Sequence, residues 1–207
     1  MYKNPSVMAM DFEGVLIPEI WIAVAEKTGI EELYLTTREV PDYEALMNGR
    51  LRILKENNIT LMDIQNVIGT VEPLNGASDF LSWARKKTQV IILTDSFYEF
   101  VKPFMPRLEY PTIFCNSLEI DEKGTITGYH LRQKDGKRKA VIALKNIGFE
   151  VISIGDSYND ATMLSTADYG ILYRPSEKVV QDFPQFKVCD NYGDLRKYIE
   201  DYLSSDE

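Results

Sequence analysis

One sequence pattern, an apolar run that ends on oxygen-bearing side chains, occurs three times and constrains this chain more than any other feature. Val7-Met8-Ala9-Met10 stops at Asp11, with Glu13 and Gly14 just behind it. Val90-Ile91-Ile92-Leu93 stops at Thr94-Asp95-Ser96, and Val151-Ile152-Ser153-Ile154-Gly155 stops at Asp156-Ser157-Tyr158-Asn159-Asp160. Short unbroken apolar runs suit strands buried on both faces, as in a parallel sheet covered by helices. In open parallel sheets the ligand crevice lies at the carboxyl ends of the strands. Laid side by side, the three runs bring Asp11, Thr94, Asp156 and Asp160 to one crevice.

Close carboxylates push one another toward protonation, so an acid cluster with no adjacent base ordinarily holds a cation. Oxygen donors that include two aspartates favour Mg²⁺ over zinc or copper. A single Asp after a strand is more often a turn residue or a helix cap, and Asp95 taken alone reads that way. Asp11 together with Asp156 does not, because perturbed acids cluster at functional sites.

The chain has 207 residues, enough for one core and a small second unit, and its 44% hydrophobic and 27% charged content is ordinary for a water-soluble protein. A formal net charge of -9 disfavours nucleic acid and anionic membrane surfaces as partners. A local cation and a few basic residues still allow an anionic substrate. The first apolar run is too short for a secretory signal and none approaches membrane-spanning length, so a cytoplasmic address is expected. Cys115 and Cys189 are expected as free thiols, in keeping with that address. A single histidine, His130, excludes a histidine-rich zinc site and reads as structural or surface.

Between the first and second strand endings the pattern is helical: Glu19 to Thr28, Asp42 to Asn57 and Thr60 to Ile68. That is too much for a plain crossover. Residues 17–74 are therefore expected to form an inserted helical cap, hinged near Ile17-Pro18 and at Glu72 to Gly76, over a core of residues 1–16 and 75–207. After the hinge, helix and strand alternate. Helices are expected at Ala77 to Lys87, Phe97 to Leu108 (broken by Pro103 and Pro106), Lys137 to Asn146, Tyr158 to Ser165 and Asn191 to Leu203. Strands are expected at Gln89 to Leu93, Thr112 to Phe114, Glu150 to Ile154 and Tyr169 to Leu172. Ser117 to Asp121 and Thr125 to Leu131 suggest a hairpin beside the main sheet. The fold class is α/β, a doubly wound parallel sheet with a helical insertion.

Asp11-Phe12-Glu13-Gly14-Val15, Thr94, Lys137 and Gly155-Asp156-Ser157-Tyr158-Asn159-Asp160 resemble, in order and spacing, the four motifs of the haloacid dehalogenase superfamily. Longer strings are similar to its phosphoserine phosphatase and homoserine phosphotransferase branch. They are Pro18-Glu19-Ile20-Trp21, Thr36-Thr37-Arg38, Pro41-Asp42-Tyr43, Arg50-Leu51-Arg52-Ile53-Leu54 and Leu131-Arg132-Gln133-Lys134. The resemblance implies a Rossmann-like core with a cap of the C1 type and a Mg²⁺-dependent phosphatase working through an aspartyl phosphate. It implies that Asp11 is the nucleophile and that Glu13 protonates the leaving oxygen and then activates the acceptor. Most relatives carry Asp at the second place; Glu reaches roughly 1.5 Å further.

By the same resemblance Mg²⁺ takes Asp11, the carbonyl oxygen of Glu13 and Asp156, with Asp160 supporting from behind. Thr94 and Lys137 hold the phosphate, Lys137 being chosen over its neighbours Lys134 and Lys139 by that match. Glu19 binds the amino group, Arg50 the carboxylate, and Tyr43 forms an aromatic wall. Asp95, Ser96 and Asn159 complete the expected substrate contacts. Where the family usually follows the motif II hydroxyl with Gly-Gly, this chain has Asp95-Ser96. The implied partners are small molecules, O-phosphoserine and homoserine, with a homodimer left open. Two alternatives stand beside it: a phosphatase for another small phosphate ester, and a receiver-like domain phosphorylated on an aspartate. A receiver has no use for an insertion roofing its aspartate, whereas a cap that excludes water suits turnover of a small substrate.

Overall fold

The computed structural model describes residues 4–36, 39–40 and 42–205. The resemblance string around Thr37, Arg38 and Pro41 falls partly outside them. In chain order the elements are β1 (Ser6–Met10), α1 (Ile20–Thr28), a 3-10 turn (Glu31–Tyr34), α2 (Tyr43–Glu56), α3 (Leu61–Ile68), α4 (Ala77–Lys87) and β2 (Gln89–Phe97). They continue with α5 (Tyr98–Val101), a 3-10 turn (Lys102–Phe104), β3 (Ile113–Ile120), β4 (Ile126–His130), α6 (Gly136–Asn146) and β5 (Glu150–Gly155). After a 3-10 turn (Tyr158–Asp160) come α7 (Ala161–Thr166), β6 (Tyr169–Tyr173), α8 (Glu177–Asp182), β7 (Lys187–Cys189) and α9 (Tyr192–Ser204).

The described strands form one seven-stranded sheet in the order β4-β3-β2-β1-β5-β6-β7. All neighbours are parallel except the β3–β4 hairpin, so the sheet is parallel with one antiparallel edge. β1 lies at the centre, with Met10 level with Ile92 of β2 on one side and Ile154 of β5 on the other. The chain order therefore reverses on either side of β1, which is where an open α/β sheet leaves its crevice. Alternation along β1 feeds two cores: Met8 and Met10 join the large cluster with α1, α3, α4 and α9, and Val7 and Ala9 join a smaller one with α6, α7 and α8.

Local chemistry sets the helix ends. Asp42 caps α2 by accepting the amides of Glu44 and Ala45 at 3.0 and 3.2 Å. Thr60 and Asp63 form a reciprocal capping box on α3, and α1 stops at Gly29 with φ of 70°. The two ends of the stretch 17–74 lie side by side, where Leu74 donates its amide to the Leu16 carbonyl at 2.9 Å. Its apolar residues Val24, Met47, Leu54 and Ile64 share one buried cluster with the sheet.

Four expectations need correction. β2 runs on to Phe97, so Thr94-Asp95-Ser96 lie within a strand that loses regular register to β3 between Leu93 and Phe97. The expected helix from Phe97 shrinks to α5 and a 3-10 turn, because Pro103 removes a donor and ends the α-helical pattern. The two strands expected at Thr112 and Ser117 are one continuous β3. α8 and β7 were not expected; both are short and β7 is an edge strand. Cys115 and Cys189 are free, and His130 pairs on the surface with Glu119 at 2.7 Å.

Candidate active site

Asp11 follows β1 directly, its amide bonded to the Ile154 carbonyl of β5 at 2.9 Å, and its carboxylate accepts the Phe12 amide at 2.7 Å. The next residues make a tight turn in which Gly14 donates to the Ile17 carbonyl and Leu16 and Ile17 donate to the Phe12 carbonyl. Gly14 adopts φ of 76°, and a Cβ there would lie 2.5 Å from the Asp156 carboxyl carbon. Only glycine satisfies both demands, so the Asp156 carboxylate lies directly against the backbone beside Glu13.

Asp156 leaves β5 on the other side, and Asp160 curls back beneath it. One Asp160 oxygen accepts the amides of Asp156 and Ser157 at 3.0 and 3.3 Å; the other accepts Lys137 Nζ at 2.8 Å. Gly155 admits this curl, since a Cβ there would meet Asp160 Cβ at 2.4 Å. Lys137, in the first turn of α6, also reaches Asp11 Oδ1 at 2.9 Å. All four groups are buried: Asp11 and Lys137 are each 4% exposed, Asp156 8% and Asp160 0%.

Ligand oxygens of Asp11, Asp156 and Asp160 lie within 4.8 Å of one another. Burial raises the Asp11 carboxyl well above the ordinary carboxylate range and Asp160 adds to that, while Lys137 opposes it. Asp156 is pushed up to about 7 by burial first and then by the charges of Asp160 and Glu19. Burial alone would lower the Lys137 ammonium, but Asp11, Asp160 and Asp95 together hold it well above its usual value. A cluster this acidic, with one lysine shared between two of its members, suits a divalent cation bound by hard oxygens. Asp160 has both oxygens occupied by protein donors, whereas Asp11 keeps one oxygen outside its bonds to Lys137 and Phe12.

Thr94 is buried at the end of the regular part of β2 and its hydroxyl accepts the Ser96 amide at 3.1 Å. Ser96 is buried as well. Asp95 is held by its carbonyl, which accepts Asn116 Nδ2 at 2.9 Å and the Tyr43 hydroxyl at 3.4 Å. Its half-exposed carboxylate comes within 3.9 Å of Lys137 Nζ. Asn159 is exposed, its amide oxygen taken by the Ser157 hydroxyl at 2.6 Å.

The roof comes from α1 and α2. Glu13 reaches up to accept the first amide of α1, Ile20 N, at 2.9 Å. Arg50, 7% exposed, stacks over the Trp21 ring at 4.5 Å and donates to the Leu35 carbonyl at 2.8 Å. Its Nε is buried without a hydrogen-bond partner among the described residues. Burial lowers the guanidinium to about 10, against the opposing charges of Glu13, Tyr43 and Glu19. Tyr43 packs edge-on to Tyr129 at 6.0 Å, and burial raises its hydroxyl above the usual phenol range, aided by Asp95.

Two residues that position these groups escaped the sequence reading. Asn116 binds the Asp95 carbonyl and also accepts the Arg132 amide at 2.9 Å, tying β2 to the segment before Lys137. A polar residue inside an apolar strand was its one signal. Tyr192, at the start of α9, donates to the Val15 carbonyl at 2.6 Å; nothing in the sequence linked residues that far apart.

The sequence profile of haloacid dehalogenase-like hydrolases matches residues 6–168, from β1 through the turn that carries Asp156 and Asp160. The chain belongs to this family. It is 54% identical over 191 residues to the phosphoserine phosphatase ThrH of Pseudomonas aeruginosa, covering 92% of this chain and 93% of that one. A phosphoserine phosphatase of Pseudomonas syringae pv. tomato is 51% identical over 191 residues, covering 92% of this chain and 81% of that protein. A substrate-bound phosphoserine phosphatase structure superposes with a TM-score of 0.79 at 18% identity, covering 95% of this chain and 99% of that one. A phospho-aspartyl intermediate analogue of phosphoserine phosphatase gives 0.77 at 18% identity over 95% of this chain and 99% of that one. Those two likenesses speak to the fold. This family member is accordingly a hydrolase with an α/β sheet of the phosphoserine phosphatase type, and no described helix is long and apolar enough to cross a membrane.

Proposed function

We propose that this hydrolase is a Mg²⁺-dependent phosphatase of O-phosphoserine that acts through a phosphorylated Asp11 and also passes the phosphoryl group to homoserine. The observation that carries it is the buried Arg50 with a bare Nε, set among Glu13, Glu19 and Tyr43. A guanidinium this deep, with an unmet donor, calls for an anionic acceptor, and a carboxylate matches its geometry. Glu19 would take the amino group and Tyr43 would wall the pocket. The 54% identity to a protein named phosphoserine phosphatase ThrH points the same way.

Asp11 would attack phosphorus with its free oxygen while Lys137 holds the other against Asp160, so the nucleophile has one rotamer and one direction of attack. Thr94 and Lys137 would receive the phosphoryl oxygens. Glu13, anchored on the first amide of α1, would give its proton to the leaving serine oxygen and then take one from the acceptor. Asp11, Asp156 and the carbonyl of Glu13 would hold Mg²⁺, with Asp160 bracing from behind; the bound ion supplies charge neutralisation for the phosphoryl group. Ser96 and the exposed Asn159 would add the remaining substrate contacts. Residues 17–74 would act as a cap that shuts bulk water out while the serine moiety is bound.

The test is to supply O-phospho-L-serine and Mg²⁺, with and without L-homoserine, and follow inorganic phosphate and phosphohomoserine together. Phosphate release that homoserine diverts into phosphohomoserine is the expected result. Release without diversion would remove the transfer activity, and hydrolysis of a generic aryl phosphate without that of phosphoserine would remove the substrate.

A further inference from the structure

Asp95 occupies an unusual electrostatic position. Its backbone carbonyl is pinned from two sides, by Asn116 and by Tyr43, so the side chain has little freedom to leave. The carboxylate emerges between Lys137 and Tyr43, with 45% of the side chain exposed. Among the described residues its one charged contact is Lys137 Nζ at 3.9 Å, beyond hydrogen-bonding distance. That lysine is already committed to Asp11 at 2.9 Å and Asp160 at 2.8 Å.

Pairing the charges of the cleft shows what remains. Lys137 serves Asp11 and Asp160, Arg50 faces Glu13 and Glu19, and a divalent cation would offset Asp11 and Asp156. Even so the cleft carries more negative than positive charge, and Asp95 adds to that excess next to the lysine that would hold a phosphate. A dianionic phosphate held by Lys137 meets that negative charge at close range, and a positive charge on the same molecule would offset it. In phosphoserine the ammonium sits on the carbon next to the one bearing the ester oxygen, close enough to the phosphate to reach a group beside Lys137.

We propose that Asp95 is a specificity-determining residue that reads the substrate's ammonium group on the Lys137 side of the pocket, rejecting phosphate esters that lack one. This deepens the phosphoserine phosphatase assignment and rests on it. Selection of this kind works by repulsion of the wrong ligand as much as by attraction of the right one.

The experiment compares kcat/KM for O-phospho-L-serine with that for 3-phosphoglycerate, which carries a hydroxyl in place of the ammonium. The proteins are the wild type, Asp95→Asn, Asp95→Glu and, in parallel, Glu19→Gln. Asp95→Asn should lower the ratio of the two constants by about tenfold or more, the size of a lost charge-assisted contact, with part of the change a gain on 3-phosphoglycerate. Asp95→Glu, which keeps the charge, should recover part of the ratio. If both constants fall together in Asp95→Asn, the carboxylate merely steadies Lys137 and the inference is wrong. It is equally wrong if the ratio moves in Glu19→Gln alone. A wild type that ignores phosphoserine would remove the functional assignment and this inference with it, whereas turnover with an unmoved ratio removes only the inference.

Discussion

The floor of the cleft and its roof are built on opposite principles. On the floor the charged groups fix one another's positions: Lys137 bridges Asp11 and Asp160, and Asp160 in turn holds the amides of Asp156 and Ser157. In the roof, Arg50 spends donors on the Leu35 carbonyl and the Met47 sulfur and leaves a buried nitrogen unmet. A closed network has its geometry fixed before any substrate arrives, which is what group transfer needs. An incomplete one is completed by the ligand, which is how a pocket discriminates. On that division the floor would do the chemistry, and the roof, together with Asp95 at the floor's edge, would do the choosing.

The hardest blow to that division is struck at its centre. Asp11→Asn should cut kcat by about 10⁴-fold or more, the usual scale for losing a nucleophile. The fold should survive, because the amide still fits between Lys137 and the Phe12 amide and one repelling charge is gone. Phosphate release at an ordinary rate would take Asp11 out of the chemistry altogether. Arg50→Ala comes next and separates the two regions. It should raise KM for phosphoserine by roughly tenfold to a hundredfold while sparing kcat on an aryl phosphate that has no carboxylate. Equal loss on both substrates would erase the distinction between floor and roof.

A third measurement uses the floor's electrostatics alone. Asp156 is held at about 7, against 3.8 for a free aspartate, and Asp11 is raised as well. Between those values the folded chain keeps protons that the unfolded chain has released, so without metal stability should fall as pH climbs from about 4 through 7. A divalent cation displaces those protons, so its stabilisation should grow over the same range. Melting temperatures at pH 5.5 and 8, with chelator and with Mg²⁺, decide the matter. A Mg²⁺ gain as large at pH 5.5 as at pH 8 would mean the ion binds elsewhere.

How much of this was legible beforehand follows the same line. The floor was written in the sequence, because each acid ends an apolar run and adjacent parallel strands leave their termini side by side. Asp11, Asp156 and Asp160 do converge, and Lys137, expected there from the family resemblance, joins them. The α1, α2 and α3 pattern was legible too, from apolar spacing, although the Asp42 cap and the Thr60-Asp63 box emerged only in the structure. What could not be seen was contact across long loops: Asn116 reaching Asp95, or Glu13 capping α1 from seven residues upstream. Glu13 is instructive, since its extra methylene over Asp looked like a puzzle of reach into the pocket, and part of that reach goes to the Ile20 amide. The continuation of β2 through Ser96 was hidden because Thr, Asp and Ser after an apolar run read as a loop. α8 and β7 were too short for any periodic signal.

The smallest effect concerns the joint between the two regions. Tyr192 lies outside the cleft, stacked on Phe80 at 5.0 Å and Tyr173 at 4.9 Å, with its hydroxyl on the Val15 carbonyl. It also touches the second connection, since a Cβ on Gly76 would lie 3.2 Å from its ring. One side chain thus braces both passages between the core and the inserted helices, next to the Leu74–Leu16 hydrogen bond. Tyr192→Phe keeps the stack and leaves the buried Val15 carbonyl without that donor, a loss of about 1 to 2 kcal/mol in stability. If floor and roof move as separate bodies about this joint, kcat should fall a few-fold, with KM on the aryl phosphate nearly unchanged, because the turn carrying Glu13 loosens while the phosphate contacts do not. A variant that melts lower yet turns over phosphoserine at the wild-type rate would show that the joint matters to folding alone.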